Sequence, residues 1–175
     1  MVEFFHMSPC LLSVGDVVRG SGRDKVDPRI EAALEAARPV AALSRIDAVF
    51  CLEHPDFSRC GIVNPGYIYR VRHEGLAERY DLSWISPMQK ALLKIKHGSD
   101  NPGRLAHYPD WTDDLMAKCC TGYWSRKANG DPDWEHLAPA LTITSIVTSE
   151  MVDPGRTSDS LTGEFLSRSR SDSRN

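Results

Sequence analysis

The side chains in this sequence whose types and spacing could do chemistry are a histidine behind an aromatic run, a Tyr-x-Tyr pair and a short cysteine–histidine cluster. His6 follows Phe4-Phe5 and stands just before Ser8-Pro9, so its ring sits at a strand end where backbone geometry is rigid, and Ser8 offers a second polar contact. A satisfied structural histidine is the plainer alternative. Tyr67 and Tyr69 flank Ile68 and therefore share one face of any strand that carries them. Cys51, His54 and Cys60, with Cys119 or Cys120 from farther along, supply the donor types of a tetrahedral zinc site. Against it, Cys51 lies in an apolar run, where a free thiol behaves as a small hydrophobe. Cys10 is near His6, but no third group orients the two as nucleophile and base.

The elements that must position these residues follow from the hydrophobic pattern. Residues 2–6 read as a strand stopped by Ser8-Pro9, and 14–18 as a turn and short strand before the Gly20-Ser21-Gly22 loop. Asp27-Pro28 is an N-cap and first-position pair, with Ile30, Ala33, Leu34 and Ala37 behind it at helical spacing. Residues 48–52 predict a buried strand leading into a helical turn around 56–60, and Asn64-Pro65-Gly66 forces a turn. Residues 66–73, rich in aromatic and β-branched types, predict a central strand with a wetter far end. Ser86-Pro87-Met88-Gln89 matches a capping box, with Met88, Leu92 and Ile95 in the helix after it. From Asp110, the rows Leu115, Cys119, Tyr123 and Met116, Cys120, Trp124 make a helix with a broad apolar stripe. Residues 141–147 predict a closing strand.

At 175 residues, 41% hydrophobic and 26% charged, the chain has an ordinary globular make-up. The expected layout is one domain over residues 1–152 and a disordered Ser/Arg-rich tail over 153–175, whose composition cannot bury enough apolar area to offset chain entropy. Formal net charge is -3 with the signs interspersed, so a nucleic-acid partner would need local basic loops. Apolar runs such as Cys10-Leu11-Leu12 fall far short of the ~20 residues a membrane span needs. The start lacks the basic region of a secretory signal, which makes the cytoplasm the expected compartment. Five cysteines, with no CxxC pair, predict reduced and mostly buried thiols.

Taken in order, the motifs resemble those of the ADP-ribosyltransferases. His6-Met7-Ser8-Pro9 is similar to their opening His-x-Ser/Thr element, and residues 48–58 to their second strand and following helix. Gly66-Tyr67-Ile68-Tyr69-Arg70-Val71, with Glu74-Gly75 after it, resembles a strand of the rifamycin-modifying members. Trp134-Glu135-His136-Leu137 resembles the Glu-x-Leu element at which many bacterial members place their catalytic glutamate. The likeness runs over roughly residues 4–147 and rests on the order and spacing of motifs that are each common alone. It implies an α+β fold whose mixed sheet splits around an NAD cleft with flanking helices. It also implies mono-ADP-ribosyl transfer from NAD to a protein, nucleic acid or small molecule, in a setting such as a toxin or a resistance enzyme.

Under that resemblance Glu135 is the leading catalytic carboxylate. Asp81 is its rival, standing where the rifamycin-modifying members carry an acidic candidate. Breaking the nicotinamide bond develops an oxocarbenium-like ribose, which a carboxylate stabilises. His6, Met7 and Ser8 are expected to contact NAD, and Tyr67, Tyr69 or Phe50 to stack on its nicotinamide. Phe50 stands where diphtheria-toxin-like members offer a tyrosine, a departure from their His-Tyr-Glu set. Trp84, Tyr123, Trp124 and Trp134 are further cleft candidates, with core packing their plainer fate. Two alternatives come from other classes: a non-catalytic module of the same fold that binds NAD or a protein, and a small zinc-stabilised domain using Cys51, His54 and Cys60. Replacing Glu135 by alanine is expected to abolish nicotinamide release with little effect on folding.

Overall fold

A computed structural model describes residues 2–22, 26–60, 65–98 and 102–153. Of the expected tail, residues 153–175, all but Asp153 lie outside them. In chain order the elements are β1 (Phe4–Ser8), β2 (Val17–Arg19), α1 (Pro28–Ala36), β3 (Val49–Leu52), a 3-10 turn (Phe57–Cys60), β4 (Tyr67–Glu74), β5 (Glu78–Asp81), a second 3-10 turn (Leu82–Trp84), α2 (Ser86–His97), α3 (Pro102–Leu105), α4 (Asp113–Trp124), β6 (Trp134–Ala138) and β7 (Ala140–Ile146). The class is α+β. β1 pairs with β3 and with β4, and β5 pairs with β6, each antiparallel, where a mixed sheet was expected. A helix lies between β1 and β3 in the chain, yet these strands run in opposite directions, so this segment is not a parallel βαβ crossover.

The chain divides into two compact units. One takes the chain up to Asp16, Cys51–Arg72 and the chain from Thr142; the other takes Val17–Phe50 and His73–Leu141.

In the first unit β4 lies between β7 and β1. Its register on β1 runs from Phe4 opposite Val71 to Ser8 opposite Tyr67. Phe5 and Ile68 are buried core, and Arg70, on their face of the pair, lays its guanidinium 6.0 Å from the Phe5 ring centre and pairs with Glu3 at 3.1 Å. The Ile68 carbonyl accepts from the Val147 amide at 2.8 Å, and the Ile68 amide donates to the Thr148 hydroxyl at 2.9 Å. Gly66 approaches so near to Met7 and the Ser8 carbonyl that a Cβ there would collide.

In the second unit α1, α2 and α4 bury Ile30, Leu34, Met88, Leu92, Cys119, Cys120 and Tyr123 together with Tyr80 of β5 and Leu137 of β6. α1 begins where the Asp-Pro pair predicts: the Asp27 carboxylate accepts from the Arg29 amide at 3.1 Å. α4 is capped by Thr112, whose hydroxyl accepts from the Leu115 amide at 3.2 Å. The capping box expected at Ser86 does not form. The 3-10 turn runs straight into α2, so the Gln89 amide donates to the Ile85 carbonyl at 3.1 Å and Ser86 is already helical. β5 and β6 were not expected as strands; Glu78, Arg79 and Asp81 are types that normally stay in water, yet Glu78 and Asp81 are buried.

Candidate functional site

Residues directly opposite one another in an antiparallel pair share a face, as do residues two apart on one strand. His6 lies opposite Tyr69 and Ser8 opposite Tyr67. All four therefore stand on one face of the β1–β4 pair, while Met7 falls on the other face with Phe5 and Ile68. Their settings differ. Tyr69 is fully buried; its hydroxyl donates to the Cys10 carbonyl at 3.2 Å and accepts from the Leu12 amide at 2.9 Å. Ser8 is buried, and its hydroxyl accepts from the Cys10 amide at 3.2 Å. These two residues fasten the loop that follows β1. His6, Met7 and Tyr67 are half-buried, which makes Tyr67 the tyrosine of the pair with ring surface to offer a ligand.

Glu135 lies on β6 in the other unit and is only 3% exposed. One of its oxygens accepts from both the Arg45 guanidinium and the Tyr123 hydroxyl, and Arg45 also donates to that hydroxyl. Arg45 reaches Glu31 of α1 through its Nε at 2.7 Å, and its backbone amide donates to Glu35 at 2.6 Å. The guanidinium lies 4.9 Å from the centre of the half-buried Phe50 ring and 5.0 Å from that of Tyr123. The cluster thus sets two carboxylates against one cation in the interior. Burial works to deprotonate Arg45, but Glu135, Tyr123 and Glu31 outweigh it and hold the guanidinium more firmly charged. For Glu135 burial outweighs Arg45, and the carboxyl is raised above its ordinary range. Burial, with the Glu135 charge beside it, pushes the Tyr123 hydroxyl well up. The expectation that removing Glu135 leaves folding almost unchanged is corrected by this burial.

Asp81, the rival acid, is fully buried at the end of β5. It accepts from the backbone amides of Ser83, Asn129 and Asp133 at 2.9, 2.7 and 3.1 Å and from the Ser83 hydroxyl at 2.8 Å, so it caps the 3-10 turn and ties down the loop before β6. Tyr123 and Trp124 are core, with Tyr80 stacked 4.9 Å from Tyr123 and edge-on to Trp124 at 5.1 Å. Burial raises the Tyr80 hydroxyl to about 12, and it donates to Glu78 at 2.9 Å. Trp134 is half-buried beneath the Arg79 guanidinium at 3.9 Å.

Cys51, Cys119 and Cys120 are buried and Cys10 is exposed; the Cys60 side chain is outside the described set. Among the described residues no group of three or more His, Cys, Asp or Glu could hold a metal ion. No helix among them is long and apolar enough to cross a membrane. Arg45 and Glu31 escaped the sequence reading. Glu31 did carry a signal, since it adjoins Ile30 and stands three before Leu34, on the apolar arc of α1. No protein-family model matches the chain, and no curated protein matches it.

Proposed function

We propose that the chain is a mono-ADP-ribosyltransferase that uses NAD as co-substrate and transfers ADP-ribose to a protein, nucleic-acid or small-molecule acceptor. What carries the reading is the register of β1 on β4, which sets His6, Ser8, Tyr67 and Tyr69 on one face of a strand pair. In this reading the His6 ring donates to a ribose hydroxyl of NAD and the Tyr67 ring meets the flat nicotinamide. Ser8 and Tyr69 act on the loop after β1 rather than on the ligand. A carboxylate stabilises the positive charge that grows on the ribose as nicotinamide leaves. Glu135 is the first candidate by resemblance and Asp81 the second. Both give their oxygens to protein donors, so the test turns on His6 rather than on either acid.

The test is release of nicotinamide from NAD by the purified protein, with and without cell lysate. His6→Ala is expected to lower release about 100-fold at an unchanged melting temperature; equal release by the two proteins sinks the reading. A second reading, a non-catalytic module, is favoured by the burial of Glu135 behind Arg45 and Tyr123. It predicts no release from the parent protein under any condition, with NAD still raising its melting temperature.

A further inference from the structure

We propose that the groove between Trp84 and the outward face of α4 binds single-stranded nucleic acid, a site independent of the His6 face. The groove is an open cavity of about 480 Å³, lined by Trp84, Ala117, Lys118, Thr121, Gly122, Ser125 and Lys127. Positions 117, 118 and 121 are exposed and fall on one stripe of α4, which Ser125 continues just past the helix end, opposite the stripe that carries buried Cys119 and Tyr123. Gly122 lies between the stripes, and any Cβ there would collide with the Trp84 indole, so the missing side chain seats the ring on the helix. The indole Nε1 donates to the Lys127 carbonyl at 2.9 Å, which fixes the ring and the basic loop after α4 with respect to each other. The Ser125 hydroxyl donates to the Gly122 carbonyl at 2.6 Å and accepts from the Lys127 amide at 3.3 Å, holding that loop against the helix end.

The result is a set aromatic wall with two exposed lysines, Lys118 and Lys127, among its lining residues, and no carboxylate among the described residues that line it. That combination suits a chain alternating flat bases with phosphates: a base meets the indole and the adjacent phosphates meet Lys118 and Lys127. A duplex keeps its bases stacked inside and offers the indole nothing. An acidic peptide could satisfy the lysines but brings no matching flat ring. Arg126 is not part of the site, because its guanidinium is held by Glu78 at 2.6 Å and lies 5.3 Å from the Tyr80 ring centre. With a formal net charge of -3 the protein has no general attraction for polyanions, so binding has to come from such a local patch.

The experiment titrates the full chain into fluorescently labelled single-stranded DNA and RNA oligonucleotides across a salt series, with duplex DNA, a mononucleotide and an oligoglutamate peptide as parallel probes. Single strands are expected to bind, and the double variant Lys118→Ala, Lys127→Ala to bind them at least about 5-fold more weakly with an unchanged melting temperature. Losing two phosphate contacts should also flatten the salt slope by about 1.4, at ~0.7 per phosphate. Trp84→Leu should weaken binding without changing that slope; should it fail to fold, the lysine variant decides. Absence of single-strand binding at low salt, equal binding by the lysine variant, or preference for duplex, mononucleotide or acidic peptide would each overturn the proposal.

Discussion

In the unit built on β1 and β4, buried side-chain oxygens bond to the main chain. The Tyr69 hydroxyl serves Cys10 and Leu12, and the Ser8 hydroxyl serves Cys10. In the unit built on α1, α4 and the β5–β6 pair, the buried Arg45 bonds instead to other buried charged groups, Glu31 and Glu135. The two arrangements respond differently to damage. Deleting a hydroxyl that serves an amide leaves a neutral dipole without its partner, whereas deleting one member of a charge cluster leaves an uncompensated ion in the interior.

That contrast is sharpest at Arg45. Arg45→Met should cost about 3–5 kcal/mol of stability, read as a large fall in the urea midpoint, because two buried carboxylates lose their counter-charge. Glu135→Gln should cost much less, since one guanidinium then faces one ionised carboxylate. A loss for Arg45→Met no larger than an ordinary surface substitution would break the comparison. Asp81 is the intermediate case, a charge that serves amides, and Asp81→Ala should cost about 2–3 kcal/mol by stranding three of them. In the other unit Tyr69→Phe should cost about 1 kcal/mol, with faster proteolysis of the loop after β1 as its signature.

The smallest effects are in pH dependence, and their signs are opposite. Glu135 has its carboxyl raised in the folded state, so the stability it contributes is present at low pH and is lost as pH rises through the raised value. Asp27 is held well below the usual carboxylate range, first by its hydrogen bond from the Arg29 side chain and also by Lys96. Its contribution is present above an unfolded value of about 3.9 and fades as pH falls below it. Urea midpoints against pH should lose their fall above the ordinary glutamate range in Glu135→Gln and their fall on the acid side in Asp27→Asn.

The contrast between units also explains what the sequence disclosed. β4 was legible because aromatic and β-branched residues crowd together there, and α1 because Asp27-Pro28 is a local signal that needs no tertiary partner. α4 declared itself through two adjacent apolar rows. β5 stayed hidden because its Glu78, Arg79 and Asp81 are types that normally stay in water, and the partners that make burial tolerable come from far along the chain. The capping box at Ser86 misled for the opposite reason: the local pattern was sound, but the preceding 3-10 turn had already supplied the Ile85 carbonyl to the Gln89 amide, the donor the box would have served. Tyr67 and Tyr69 share one face, as their spacing implies, whereas the register that sets His6 and Ser8 on that face is a pairing between strands that spacing does not carry. The surroundings of Glu135 could not be read, since Arg45 sits in a stretch with no periodic pattern.

The partners of Arg45 stand 14, 78 and 90 residues away along the chain. Closing loops of that length is an entropic debt that a folding chain meets late, after local helices have formed. The guanidinium cluster should therefore be absent from the folding transition state, so that weakening it quickens unfolding while leaving the refolding rate nearly unchanged. Arg45 then governs how long a folded molecule lasts, more than how fast a new one forms.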